Sequence, residues 1–329
     1  MTDTARLDGT IVDPVESGFE QHRNELTAYC YRMLGSAFEA EDAVQETLVR
    51  AWRGFDRFEG RASVRSWLYR IASNVCFDML KGRRRRALPI DMMPLARADG
   101  PVAAPLPESN WIGPIPDRRV MPAAGDPAEE AETRESVRLA FVAALQHLPP
   151  RQRAVLILRE VLKWKANEVA ELLDTTVVSV NSALQRARST LADRDVSMSN
   201  AAQPIDDSQQ ELLARYVDAF ERFDIDALVK LLHDDATMSM PPYPLWLRGA
   251  GELGVWLRGP GSACEGSRFA PIAANGAPAF AQWRANPDGG FDAWSIHVLQ
   301  VSDGRIAALD FFVDPNLFPL FGLPIRIER

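Results

Sequence analysis

Apolar residues recur at intervals of three and four along the first two thirds of the chain and in short alternating runs along the last third. The first pattern predicts helices and the second predicts strands. From Phe19 onward, Leu26, Tyr29, Cys30 and Met33 form one apolar face, and Gly35-Ser36 marks a turn. A second helix is predicted from about Ala37 to Phe55. It sets Ala40, Ala43, Val44, Thr47, Leu48 and Ala51 toward a core, with Glu39, Asp42, Gln45, Glu46 and Arg50 opposite. Ser63 is placed to cap a third helix, in which Val64, Trp67, Leu68, Ile71, Val75 and Met79 recur at helical spacing. Residues 1–18 carry no periodicity and read as a flexible tail. Across 87–130, prolines from Pro89 to Pro127 exclude long helices and favour an extended, poorly packed linker. Trp111 and Ile112 are too apolar for a plain spacer, so a docking contact is expected there.

Helical signal returns at Ala131, breaks at Pro149-Pro150, and leads into Lys165–Leu191, which describes two short helices meeting at a corner. Val169, Ala170, Leu172 and Leu173 repeat in the first, and Asp174-Thr175-Thr176 supplies a break and a side-chain oxygen to cap the next. Val180, Leu184, Ala187 and Leu191 then make one stripe. Ser179, Asn181, Ser182, Gln185, Arg186 and Arg188 point outward, side chains that can hydrogen-bond base edges or neutralise phosphates. An ordinary helical hairpin with a solvated polar face has the same pattern, so the rest of the chain has to decide.

After a linker over 196–208, a new pattern occupies 209–329. Leu212, Leu213, Tyr216, Val217 and Phe220 share a helical face, and short alternating runs at 277–284, 293–301 and 306–313 follow between Gly-rich breaks. Helices followed by strands indicate an α+β domain. Met238, Met240, Trp246, Trp256, Phe280, Trp283, Trp294 and Phe311 make an apolar cavity lining, or simply a core. His297 and Asp310 lie in strands that can face such a cavity.

The chain has 329 residues, enough for two or three domains with cores of their own. It contains no apolar run of the roughly 18 residues a membrane helix needs, and its start lacks the basic-then-apolar layout of a secretory signal, so a cytoplasmic protein with no membrane partner is expected. Cys30, Cys76 and Cys264 are far apart and not in CxxC spacing, which indicates neither disulfides nor a metal site; no cofactor is called for. The net charge of -8 argues against coating nucleic acid through bulk charge, yet the charge is segregated. Bases dominate from Arg61 to Arg86, with Asp78 the single acid, and acids prevail from Asp206 onward. A basic front suits a protein in which only the front touches DNA.

The stretch FEAEDAVQETLVRAWRGFDRFEGRASVRSWLYRIASNVCFDMLKGRRRR resembles region 2 of the extracytoplasmic-function sigma factors of the sigma-70 family. The resemblance rests on Asp42, Gln45 and Glu46, on Trp52, and on the W-L-x-x-I-A-x-N-x-x-x-D run from Trp67 to Asp78. It implies an all-α region 2 over 19–86, with Asp42, Gln45 and Glu46 docking on the clamp helices of the polymerase β′ subunit, core polymerase and its β subunit as partners, and Arg61, Arg65, Trp67, Arg70 and Asn74 bordering the melted -10 strand of promoter DNA. The order from Leu145 through Arg159 resembles the entry to sigma region 4, which makes 131–195 an all-α helix-turn-helix domain for the -35 element. Asp174 stands where relatives often have Gly, and Asn181 and Ala183 stand where they often have bases, so the -35 contact is expected to be less charge-driven. The linker of such proteins threads polymerase channels. The last part resembles the SnoaL-like, nuclear-transport-factor-2 cone, with Met238, Met240, Trp246, Trp283, Trp294, His297 and Phe311 as its candidate ligand cavity. The whole reads as a multidomain promoter-specificity factor, not an enzyme, whose last domain regulates it through a small molecule or an intramolecular contact. The alternatives are a helix-turn-helix regulator with a fused ligand-binding domain, or a SnoaL-like enzyme tethered to a DNA-binding front.

Overall fold

The computed structural model describes residues 6–7, 10–11, 18–60, 62–122, 127–192 and 207–328. They belong to two units, one drawn from Met1–Arg85 and Arg118–Ser199, the other from Arg86–Asp117 and Asn200–Arg329. Of the expected flexible tail, Arg6–Leu7 (β1) and Thr10–Ile11 (β2) pair as a small hairpin, and most of the rest lies outside the described residues, as does Arg61.

In the first unit, α1 (Arg23–Leu34) stops at Gly35, which adopts φ 73° and returns its N–H to Tyr31 O. A left-handed residue of this kind ends a helix at little cost only when it lacks a Cβ. Ser36 then caps α2 (Ala37–Gly54) by accepting from Glu39 N, and Ser63 caps α3 (Val64–Leu80) by accepting from Ser66 N. The three helices bury Leu26, Tyr29, Cys30 and Met33, then Ala40, Ala43, Val44 and Thr47, then Leu68, Ala72, Val75 and Cys76. The remaining helices are α4 (Pro127–Ser136), α5 (Leu139–Leu145), α6 (Pro150–Leu156), which runs into a π turn over Ile157–Val161, α7 (Ala166–Leu172) and α8 (Val177–Ala192). Asp174 makes the corner between α7 and α8 with φ 49°, and Thr176 Oγ1 caps α8 by accepting from Ser179 N at 3.2 Å.

Two buried arginines join these helical groups. Arg32 donates to Ser136 Oγ at 2.7 Å and to Ser136 O at 3.2 Å. Arg153 donates to Met33 O, to Gln146 Oε1 at 2.6 Å and to Leu148 O at 3.1 Å, while Gln146 donates to Arg32 O at 3.2 Å. Burial lowers the pKa of each guanidinium to about 10.

In the second unit, α9 (Asp207–Glu221), α10 (Ile225–Lys230) and α11 (Ala250–Arg258) pack against a seven-stranded sheet. Its strands are β3 (Leu232–Ser239), β4 (Trp246–Arg248), β5 (Arg268–Ala274), β6 (Ala277–Ala285), β7 (Phe291–Ser302), β8 (Arg305–Phe312) and β9 (Arg326–Ile327), in the order β4-β3-β8-β7-β6-β5 with β9 on β7. Only β3 and β8 run parallel. Tyr216 and Phe220 of α9 and Trp256 of α11 fill the concave side with Phe280, Leu309 and Phe311.

The linker is not the poorly packed chain its prolines suggest. Ala87 and Trp111 form a β-bridge, with Ala87 N bonded to Asn110 O and Ile112 N to Ala87 O. Arg86 is 5% exposed and donates to Trp111 O at 2.7 Å, to Glu108 O at 2.8 Å and to Glu108 Oε1 at 2.9 Å. Ile115 N reaches Asn275 Oδ1, Pro116 pairs with Ala274, and Asp117 accepts from Gly276 N. Trp111, Ile112 and Ile115 are buried. Prolines forbid helix, but they also remove N–H donors, which lets an extended segment lie on a sheet edge with few unmet groups.

Asp310 of β8 is buried and accepts from Ser239 Oγ at 2.6 Å. Burial raises its pKa to about 6 against the Ser239 bond. Folding therefore favours the protonated acid, so its contribution is full below the unfolded value of about 3.9 and declines as pH rises to about 6. Asn at this position keeps an acceptor for Ser239 and cannot ionise. Asp310→Asn is expected to stabilise the protein by about 1–3 kcal/mol above pH 6 and to add little at pH 4, as read from denaturant melts at both pH values.

Candidate polymerase and promoter interfaces and the C-terminal cavity

The outer face of α2 carries Asp42, Gln45 and Glu46, all exposed. Glu46 is committed to Arg50 at 2.7 Å, and Arg50 lies 3.7 Å from Asp78 of α3. Asp42 and Gln45 share a helical stripe with Phe38, Val49 and Trp52, and Phe38 and Trp52 are 36% and 62% exposed. The sequence pattern picks out the polar members; the two exposed aromatic side chains that bracket them become visible only when burial is known.

Around α3 the candidates separate. Arg70 and Asn74 are exposed. Arg65 is engaged: it pairs with Glu25 at 2.7 Å and lies 5.5 Å from the ring centroids of both Tyr69 and Trp164. Trp67 is a packing residue in this structure, with its ring 4.9 Å from Phe58, 6.1 Å from Phe19 and 6.3 Å from Phe55. It pins the loop between α2 and α3 and is half-buried. The basic run after α3 also divides, because Lys81 pairs with Asp78, Arg83 with Glu39, and Arg86 is the buried linker anchor described above.

On α8, Val180, Leu184, Ala187 and Leu191 are buried and Ser179, Asn181, Gln185, Arg186 and Arg188 are exposed, with Ser182 half-buried. Arg188 is held by Glu160. Val177 and Val178 at the start of α8 are 41% and 74% exposed. They lie outside the buried stripe of Val180, Leu184, Ala187 and Leu191.

Within the second unit, a cavity of about 400 Å³ opens on the concave side of the sheet. Met240, Trp294 and Phe311 line it, together with Phe220, Trp256 and the polar Gln282, Ser295 and Arg284. A β-bulge in β7 pairs Gln282 with Ser295 but Trp283 with Ala293, so the successive residues Trp294 and Ser295 both reach the cavity. Four candidates lie elsewhere. Met238 belongs to the neighbouring core, Trp246 donates to Met93 O of the linker, and Trp283 packs on Phe318 and donates to Pro324 O. His297 sits behind the lining, stacked on Phe311 at 3.9 Å. Its partners define its tautomer. Gln282 gives its amide N–H to Ser267, so its Oε1 accepts from His297 Nε2 at 2.9 Å and from Ser295 Oγ at 2.7 Å, and His297 Nδ1 accepts from Tyr216 OH at 2.7 Å. Burial lowers the pKa of His297 to about 3. Asp310 faces Ser239 and is absent from the cavity wall.

Comparison with known proteins gives each part of the chain a counterpart. Residues 19–86 match Sigma-70 region 2, residues 138–191 match Sigma-70 region 4, and residues 213–309 match a SnoaL-like domain. The ECF RNA polymerase sigma factor SigG of Mycobacterium tuberculosis is 46% identical over 309 residues, 93% of this chain and 82% of that protein. The ECF RNA polymerase sigma factor SigJ of the same species is 27% identical over 332 residues, 95% of each chain. The crystal structure of SigJ shares the fold, with a TM-score of 0.57 at 22% identity over 94% of this chain and 98% of that one. Two helical regions that match sigma regions 2 and 4, followed by a SnoaL-like cone, place this chain in the family of extracytoplasmic-function RNA polymerase sigma factors, which direct transcription initiation at promoters.

Proposed function

We propose that this sigma factor docks on core polymerase through the outer stripe of α2, opens the -10 element with α3 and the loop before it, reads the -35 duplex with α8, and is restrained by its own SnoaL-like unit. The observation that carries the regulatory half is the linker. Sigma factors of this family are expected to thread that segment through polymerase, whereas here Ala96 and Leu106 bond Trp246 and Pro242 of the cone, Ile115 bonds Asn275, Pro116 pairs with Ala274 and Asp117 accepts from Gly276 N. One segment cannot occupy both places, so polymerase and cone compete for it.

Interface chemistry supports the docking face. A polar centre of Asp42 and Gln45 set between exposed Phe38 and Trp52 has the mixed character of protein–protein hot spots. On α8, Val177 and Val178 stand where recognition helices meet base edges, and apolar side chains there suit thymine methyl groups. Asn181, Gln185 and Arg186 lie on the same exposed side for base edges or phosphates. A recognition helix that reads partly through methyl contacts is less charge-driven, in line with its scarcity of bases.

The helical unit also restrains itself. The -10 and -35 elements lie roughly 25 base pairs apart, about 80 Å along the duplex at ~3.4 Å per base pair. A compact body of about 150 residues is only roughly 40 Å across. Regions 2 and 4 packed through Arg32, Arg153 and the Tyr69–Trp164 contact, whose rings are 5.1 Å apart, therefore have to separate before both feet reach DNA. Arg65, a -10 candidate, is released from Trp164 in the same step.

The cone works as a sensing or restraining module in this reading and breaks no bond. Both ring nitrogens of His297 are used internally, and Asp310 is turned away from the cavity, so neither presents a free base to a bound molecule. Among the described residues, no helix is long and apolar enough to cross a membrane, and the protein acts in the cytoplasm beside polymerase and chromosome.

Three measurements test this reading. Asp42→Arg with Gln45→Arg, and separately Trp52→Ala, are expected to weaken binding to core polymerase at least tenfold in a pull-down of β′; unchanged capture would remove α2 as the docking face. Val178→Ser is expected to reduce binding to promoter duplex about three- to tenfold, with the loss confined to sites carrying thymine in the -35 element. Trp164→Ala is expected to lengthen the distance between spin labels placed on regions 2 and 4 and to raise run-off transcription; an unaltered distance distribution would show that the ring contact does not close the unit.

A further inference from the structure

The cavity wall holds one charged side chain. Arg284 of β6 lines the cavity beside Gln282 and lies with its guanidinium 4.1 Å from the Trp294 ring centroid. Among the described residues it forms no ion pair and no hydrogen bond. Asp292 stands opposite it in the β6–β7 register, but the Asp292 carboxylate accepts from Asn286 Nδ2 at 2.5 Å and lies 3.8 Å from Arg326 Nη1. The rest of the wall is mainly apolar and aromatic, with Phe220, Trp256, Phe311 and Met240 facing Gln282 and Ser295. Its volume of about 400 Å³ falls in the range of small-molecule sites.

A guanidinium pre-oriented by an indole face at the edge of an aromatic chamber matches a flat anion. The planar fork of arginine takes a carboxylate through two parallel hydrogen bonds, and the aromatic walls take a ring system. An aliphatic acid would leave the ring faces poorly filled, and a phosphate would need further cations that the wall lacks.

The fourth side of the chamber is the linker. Val102, Ala103, Ala104 and Pro105 line the cavity while remaining exposed on their outer surface. This strap is fixed at its ends, where Ala96 N bonds Trp246 O at 3.1 Å and Leu106 N bonds Pro242 O at 2.9 Å. A molecule in the chamber touches sheet, helix and strap together, and whatever binds only the strapped state stabilises it.

We propose that the chamber binds a planar aromatic monoanion, with its carboxylate on Arg284, its rings between Trp256 and Phe311, and the strap at 102–105 closed over it, so that the ligand holds the linker on the cone. The proposal rests on the regulatory reading of the SnoaL-like unit and adds the ligand class and the direction of the effect.

Calorimetric titration of the full-length protein with naphthoate, using naphthamide as the neutral counterpart, tests it. Naphthoate is expected to bind at least tenfold tighter than naphthamide, Arg284→Met to abolish that preference, and Arg284→Lys to retain part of it, which separates loss of charge from loss of fold. Hydrogen exchange across 97–105 is expected to slow several-fold when naphthoate is bound. Equal affinity for acid and amide, unchanged binding by Arg284→Met, no binding by the wild-type chain, or no slowing at the strap would each overturn the proposal. If naphthoate fails to bind while removal of the cone still changes promoter output, the ligand class falls and the linker competition stands. Conversion of naphthoate to a product would overturn both.

Discussion

A guanidinium carried out of water has to be met by oxygen, and at Arg86 that requirement organises the linker. The chain passes from one unit to the other at this residue, and its side chain gathers the Glu108 carboxylate and the Glu108 and Trp111 carbonyls. Those bonds hold Trp111 in a bridge with Ala87, and Trp111, Ile112 and Ile115 are buried. Losing the cation would leave three acceptors unmet and would cost about 2–3 kcal/mol, a sizeable part of the stability of a domain. The bridge between the two ends of the linker descends from that anchor.

The helical unit meets a similar requirement differently. Arg32 and Arg153 are buried with carbonyl, amide and hydroxyl oxygens as partners and, among the described residues, no carboxylate bonded to them. A buried cation held by dipoles alone recovers only part of its desolvation cost, and the depressed pKa of each reflects that. Such a clasp gives a defined closed arrangement without making it hard to reopen. A sigma factor needs that balance, because its two DNA-binding regions work far apart.

The cone separates two residues that look alike as candidate bases. His297 completes a chain from Tyr216 through Gln282 to Ser267, which fixes Phe311 from behind and keeps the imidazole neutral. Asp310 lies on the other side of its strand with Ser239. The chamber wall keeps the guanidinium of Arg284 beside Gln282, Ser295, Tyr243 and Cys264.

Much of the architecture is local and was therefore readable from residues alone. Caps at Ser36, Ser63 and Thr176, the stripes of α2, α3 and α8, and the alternation of β6 to β8 depend on neighbours within one turn or one strand. The outer residues of α2 and α8 follow from the same periodicity. Sequence alone thus determined the order of a region 2, a helix-turn-helix region 4 and an α+β cone. It could not determine where extended chain docks, because prolines forbid helix equally in a free linker and in one laid on a sheet edge. Nor could periodicity say that Trp67 packs on Phe58, that Trp164 covers Arg65, or that a bulge turns Trp294 inward, since each depends on contacts distant in sequence or on one extra residue in a strand. Those contacts decided which candidate residues are exposed, which are engaged, and where the one charged side chain of the chamber stands.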